Sequence, residues 1–390
     1  MPTIMDIHEF DDIRPYEAGE MKAALESLLA DRHFDKIMHG LVPWMPRGMR
    51  NSMIRTMFIG VKTPLDFQKR FMAHIVRYVL RKHACGYTFD HKTISTHGNY
   101  LFVSNHRDIV LDSAILDLML YEEGFSTTCE IALGDNLLVY PWIETLVRMN
   151  KAFIVRRGLK VKEILESSMQ MSRYMHFAIT EKKENIWIAQ REGRAKDSSD
   201  NTQDSVLKML ALGGEGTVVE RLKELNIVPL TISYEYDPCD YLKAQEFQQK
   251  RDNPGWKKSK QDDLNNMKTG IFGSKGHVHY CTAAPVNEWI NELNDMPKTE
   301  IFKEIAQRMD HAIHSHYMLY PGNFIAYDEL HGGTTFRKRY SDLDKKVFDE
   351  YLKGQLAKVT IPNPDEDFLR HSILTMYANP VHNKMQTIDL

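Results

Sequence analysis

From about residue 86 to residue 330 the chain alternates short apolar runs with helical patterns, and this alternation restricts the fold more than any other feature. The strand candidates are 100–105 (YLFVSN), 127–133 (TTCEIAL), 152–156 (AFIVR), 185–190 (NIWIAQ), 227–234 (IVPLTISY) and 277–284 (HVHYCTAA). Helical patterns fill 109–122, 159–181, 205–225 and 298–317. Strands separated by helices predict an α/β domain, a mixed sheet covered by helices, over 86–330. A helical N-terminal region precedes it over 1–85, and a short helical tail follows over 331–390. The polar stretch 235–275 reads as an exposed insertion, part helix and part loop.

Within the N-terminal region, 17–30 reads as a surface helix. A second helix begins at Thr63-Pro64-x-Asp66, a capping box with proline in the first turn. Phe71, Met72, Ile75 and Val79 are expected on its apolar face, and it should end near Cys85-Gly86. Residues 1–40 carry four Lys/Arg against nine Asp/Glu, whereas 41–100 carry ten against two. The basic block calls for an anionic partner: lipid headgroups, an acidic carrier protein or nucleic acid. It also holds Trp44, Met53 and Phe58 among Arg47, Arg50 and Arg55, the mixture an interfacial segment needs. A core-facing helix with a basic outer face is the competing reading. Nucleic acid is disfavoured, because no binding motif accompanies the basic residues.

Four scattered cysteines with no CxxC pair disfavour disulfides and structural zinc, and suit a reducing cytosol. The acidic start MPTIMDIHEFDDIRPYE is not a secretory signal, and no run reaches the roughly 20 apolar residues of a membrane span. The expected location is cytoplasmic, peripheral on the inner face of the cell membrane.

The chemistry centres on Asn105-His106-Arg107-Asp108 and Asp112. A buried strand runs into a loop with His106 at its tip, and a helix starts just after. Strand-end loops are where α/β proteins place reactive groups. A histidine beside a carboxylate serves as a general base, the carboxylate fixing its tautomer and stabilising the imidazolium. Asp108 suits a helix N-cap. Most histidines near an aspartate are structural, so this pattern alone is weak. Three further blocks strengthen it: KAFIVRR (151–157), REGR (191–194) and Val228-Pro229-Leu230-Thr231-Ile232. Pro229 inside an apolar strand marks an edge, a bulge or a special backbone path.

The four ordered blocks resemble those of the glycerolipid acyltransferases, the family of glycerol-3-phosphate and 1-acylglycerol-3-phosphate acyltransferases. That family carries NHxxxxD, a GxFFIRR-like block, EGxR and VPVxI. The likeness covers about 98–235. It implies transfer of a fatty acyl group from acyl-CoA or acyl-carrier protein to a hydroxyl of glycerol-3-phosphate, lysophosphatidate or a related lyso-lipid. His106 would be the general base, with no metal and no organic cofactor. Asn105, Arg156, Arg157, Glu192, Gly193, Arg194 and Pro229 become the expected substrate-binding residues, the arginines gripping an acceptor phosphate. Pairing of those arginines with surface carboxylates is the bland alternative.

The family leaves four residues between its His and Asp. Here that count falls on Leu111, and Asp112 lies one residue further on. Asp112 is the expected partner and Asp108 the cap, while the reverse assignment and the loss of the dyad both stay open. Lys151 stands where the family often has glycine. The alternative function is a catalytically silent, lipid-binding scaffold of the same fold.

Other motifs fail on spacing. His106-Arg107-Asp108 lacks the Asn that a kinase loop requires, since position 113 is Ser. GIFGSKG (270–276) lacks P-loop spacing and reads as a flexible turn. His277, His279, His311, His314 and His316 have no suitably spaced acidic or cysteine partners for a metal.

Overall fold

The computed structural model describes residues 6–387. The first five residues, part of the segment read as lacking a secretory signal, lie outside that range. Seven strands form one sheet: β1 (Gly86–Asp90), β2 (Leu101–Ser104), β3 (Cys129–Gly134), β4 (Ala152–Val155), β5 (Asn185–Ala189), β6 (Ile227–Tyr234) and β7 (His277–Thr282). Their order is β1-β7-β6-β2-β5-β3-β4. All neighbours are parallel except β6 and β7, which makes the sheet mixed. The chain leaves β2 for β3 on one side and returns across it to β6 on the other. The C-terminal ends of β2, β5, β3 and β4 therefore open at a point where the winding reverses, the usual place for a ligand crevice.

The central strands β2 and β6 are buried at every residue, as continuous apolar runs in a parallel sheet require. One face packs against helices Val161–Thr180, Asp204–Leu210, Val218–Glu224 and Lys298–Ser315, with Phe10 and Ile13 added from the N-terminus. The other packs against Ala73–His83 and Leu111–Glu122. The edge strand β1 escaped the sequence reading, because GYTFD is half-exposed and carries no apolar run.

Pro229 lies in a central strand, which corrects the edge reading. It pairs with Val103 of β2, while the ladder to β7 begins only at Leu230. Its carbonyl accepts from Ala283 N, so the missing N–H also faces the β7 side, where that strand has run out. The parallel ladder to β2 loses nothing.

The helix after Thr63 also departs from expectation. Gln68–Met72 is a π turn, whose extra residue rotates everything beyond it. Ala73, Val76, Val79 and Leu80 are buried, and Ile75 is exposed. The stretch 235–275 is part helix and part loop as expected, but it is exposed mainly over 251–261 and otherwise half-buried or buried. Its helices Asp240–Asp252 and Lys260–Phe272 bury Asp240, Lys243, Glu246 and Asn266 against the sheet ends and the C-terminal helices. GIFGSKG is not a flexible turn: Lys275 is fully buried, and its ammonium donates to Ile271 O and Gly273 O, capping the preceding helix. Beyond 331, helices Asp342–Leu356 and Glu366–Met385 build an apolar cluster with Pro321–Leu330 and Asp240–Asp252.

The charge asymmetry of the N-terminal region is partly answered within the chain. Arg50 and Arg47 pair with Asp35, Arg55 with Glu26, Arg156 with Asp12 and Arg173 with Glu9. Arg50 and Phe58 are buried, so neither belongs to an exposed docking face. Trp44, Met49, Met57 and Ile59 are exposed, as are Lys62, Arg70, Arg81 and Lys82. Among the described residues no helix is long and apolar enough to cross a membrane.

Candidate active site

Strand β2 ends at Ser104, and the next six residues carry the chain to the helix at Leu111. Asn105 pins the start of this loop. Its Oδ1 accepts from Ile232 N at 2.8 Å, and its Nδ2 donates to Ile232 O at 2.9 Å. Fully buried and committed to β6, Asn105 holds the loop and has no group left for a substrate, which corrects its expected binding role.

His106 follows, with Nδ1 2.8 Å from Asp112 Oδ2. The same Oδ2 accepts the backbone N–H groups of Arg107 at 2.6 Å and Asp108 at 3.0 Å. One carboxylate oxygen thus gathers three donors, which fixes the imidazole orientation. Nε2 is the nitrogen left to take a substrate proton. The N-cap of the helix is Val110, not Asp108 as expected, but Asp108 two residues earlier supports the turn: its Oδ1 accepts from Val110 N and Leu111 N, both at 2.8 Å. The turn it stabilises absorbs the extra residue between His106 and Asp112. Burial and, next, the Asp112 charge raise the Asp108 carboxyl above the ordinary carboxylate value. A Cβ on Gly270 would sit 1.9 Å from Asp108 Oδ2, so helix Lys260–Phe272 closes this side of the loop.

Trp187 of β5 meets the His106 ring edge-on, with centroids 5.5 Å apart and planes at 65°. Its indole N–H donates to Ser104 Oγ at 3.0 Å. The other side of His106 opens on a cleft of about 450 Å³ at the ends of β3, β4 and β5. Its walls include Ile131, Leu133, Ile164, Met171, Val206 and Met209, an apolar slot leading to one imidazole.

At the mouth stand Arg156, Arg157, Arg191, Glu192 and Gly193. Arg156 pairs with Asp12 at 2.5 Å, and Arg157 approaches Glu192 at 3.7 Å. The surface pairing first weighed for these arginines is therefore present, in exposed pairs that contribute little and exchange readily. Gly193 has φ +70°, the left-handed region glycine favours. Arg194 is turned away: it is buried, donates to Asn266 at 3.0 Å and does not line the cleft. Arg191 lines it instead. Pro229, inside the sheet, does not line it either. The sequence reading missed Trp187 and Arg191 as site residues, although Arg191 opens the REGR block and Trp187 stands in the strand that leads to it.

Lys151, at the glycine position of its block, has φ +60°. A lysine tolerates this backbone because its buried ammonium is 2.7 Å from Glu184, 2.8 Å from Thr128 O and 3.0 Å from Thr127 Oγ1. Among the described residues no three His, Cys, Asp or Glu side chains converge to hold a metal ion.

Residues 88–233 match the model of the family described as Acyltransferase, and this span contains the His106 loop, the cleft walls and the REGR block. Over that span, less than half of the chain, the protein is similar to this family. Among solved structures, the 1-acyl-sn-glycerophosphate (LPA) acyltransferase PlsC from Thermotoga maritima is similar at 13% identity, over 62% of this chain and 78% of that chain, with a TM-score of 0.31. A likeness that slight carries no weight here. No curated protein matches the chain.

Proposed function

We propose that the protein transfers a fatty acyl group from a thioester, acyl-CoA or acyl-carrier protein, to a hydroxyl of glycerol-3-phosphate, lysophosphatidate or a related lyso-lipid. The observation that carries this reading is the His106–Asp112 contact, with His106 lining a largely apolar cleft. The acceptor hydroxyl gives its proton to His106 Nε2 as its oxygen attacks the thioester carbonyl. The tetrahedral intermediate expels the thiolate, and the imidazolium returns the proton to the leaving sulfur. General-base help of this type contributes on the order of 10² to 10⁴ in rate. The apolar walls suit an acyl chain. Arg157 and Arg191 at the mouth suit the acceptor phosphate, as guanidinium groups pair with phosphate oxygens.

The scaffold alternative drew on the displaced aspartate. The 2.8 Å contact between His106 and Asp112 supports the enzyme reading over the scaffold, since the longer spacing still allows the pair to meet. Membrane docking belongs to the same proposal, with the face carrying Trp44, Met49, Met57 and Ile59 meeting an anionic bilayer. Flotation with liposomes that shows no dependence on anionic lipid removes docking from the account. Incubation of labelled acyl-thioester with a panel of lyso-lipids and glycerol-3-phosphate tests the activity. Transfer to at least one acceptor is expected, and no transfer to any of them by a folded protein defeats the reading.

A further inference from the structure

Asp200 lies 94 residues beyond His106, outside all four blocks, and does not line the cleft. It is fully buried, with its backbone at φ +47°. Its carboxylate faces the back of the His106 loop. Arg107 approaches it at 2.6 Å, Tyr317 Oη donates at 2.6 Å, and Asn105 Nδ2 lies at 3.3 Å. Asn105 and Arg107 are the two residues that flank His106. A single buried carboxylate therefore grips the catalytic loop on both sides of the histidine, through contacts that reach neither cleft nor substrate.

The grip is itself anchored. The 197–200 turn contains two non-glycine residues in the left-handed region, Ser198 at φ +59° and Asp200. Such backbone persists only where the surroundings over-determine it. Here the last helix supplies them: Asn379 donates to Asp197 O at 2.7 Å, and Asn383 to Ser198 O at 3.3 Å and Ser199 O at 3.2 Å. Lys384 holds Tyr317 O at 2.7 Å, and His314 Nε2 lies 3.0 Å from Asp200 O.

We propose that Asp200 is the positioning residue of the His106 loop, and that it couples the C-terminal helix Glu366–Met385 to catalysis. The proposal rests on the reading of His106 as the base. Arg107 buries its guanidinium only because Asp200 compensates it. With both flanks of His106 fixed, the imidazole is held where Asp112 and a substrate hydroxyl both reach it.

The test compares wild type with Asp200→Asn, Arg107→Met and the double variant in full-length protein. It reads kcat and KM for the acyl-thioester, together with hydrogen–deuterium exchange of the peptide spanning 104–111. Asn at 200 turns one acceptor into a donor facing the guanidinium. Each single variant should lose on the order of 10- to 100-fold in kcat, the cost of misplacing a catalytic group by about 1 Å. KM should stay within about twofold, since the substrate contacts are untouched. The double variant should be no slower than the worse single one, because both changes cut the same tie. Exchange in 104–111 should accelerate in all three. Unchanged kcat and unchanged exchange in folded Asp200→Asn overturn the proposal, and so does a double variant whose loss is the product of the singles. Should Asp200→Asn not fold, Asn383→Ala weakens the anchor by one amide. It should still lower kcat several-fold and speed exchange in 104–111, and failure of both refutes the coupling. An inactive wild type defeats the acyltransfer reading, whereas the exchange result judges the grip on its own.

Discussion

Replacing Asp112 with Asn separates charge from geometry at the site. Its Oδ2 accepts from His106 Nδ1 and from two backbone N–H groups, while Oδ1 has no partner. The two N–H groups oblige the asparagine to place its oxygen at the Oδ2 position. Its NH₂ then takes the unpartnered side. His106 keeps its hydrogen bond and its tautomer, and only the negative charge that stabilises the imidazolium is lost. In the serine-protease triad the same change costs about 10⁴ because the wrong tautomer results. Here the loss should stop at about 10- to 100-fold in kcat, below the full general-base contribution of about 10² to 10⁴. An amide NH₂ buried without an acceptor costs a further 1–3 kcal/mol or so of stability. Asp108→Asn is the control. Its Oδ1 still accepts from Val110 N and Leu111 N, so activity should stay within about twofold of wild type under general-base arithmetic. The assay is release of free thiol from acyl-CoA, followed with a thiol-reactive dye in the presence of acceptor. Full activity in Asp112→Asn, or a larger loss in Asp108→Asn, refutes the assignment of the two aspartates.

Three further outcomes are expected. Burial lifts the Asp310 carboxyl to about 6 from 3.8, against hydrogen bonds from Thr202 that act to lower it. A carboxyl raised by folding contributes most below its unfolded value and loses that contribution as pH rises through about 6. Asp310→Asn keeps the Oδ1 that Thr202 N and Oγ1 both use, so it should stabilise by about 1–2 kcal/mol at pH 8 and by nothing near pH 4, as thermal melts at the two pH values would show. Lys151→Ala removes a buried ammonium with three partners while keeping the left-handed backbone, so chemical denaturation should show a loss of about 3 kcal/mol. Val206→Trp fills the apolar slot and should move the preference toward shorter acyl chains in a chain-length series.

Much of this fold is legible in the sequence because a parallel sheet buries its strands on both faces. Runs such as YLFVSN and IVPLTISY then stand out, and β2 and β6 fall inside them. The phase of the helix after Thr63 was not legible, since nothing in 64–83 announces a π turn at Gln68–Met72. The side chain at that turn, Gln68, instead bonds Asp117, Cys129 O and Asn150 O, partners 49 to 82 residues away. The stretch 235–275 misled for a related reason. Its polar side chains find partners inside the protein, as Lys243 does with Asp237 and Glu246 with Lys196 from outside the stretch, and composition alone cannot distinguish that from solvation.

The candidate site divides in the same way. His106 and Asp112 are local in sequence, so their partnership could be read from seven residues. Arg194 looked like a phosphate ligand because it follows Glu192-Gly193, yet the left-handed turn at Gly193 leaves it under helix Lys260–Phe272. Asp200 carried no motif at all. The role proposed for it depends on a turn folded against a helix 182 residues later, where Asn379 donates to Asp197 O.

The central claim is that His106 removes the acceptor proton, and one measurement meets it most directly. Acyl transfer from labelled thioester to the preferred acceptor is compared between wild type and His106→Ala, with folding verified by thermal melt. The account expects a kcat loss of about 10² to 10⁴ with thioester binding retained, since the cleft walls are untouched. Transfer by folded His106→Ala at the wild-type rate would contradict it.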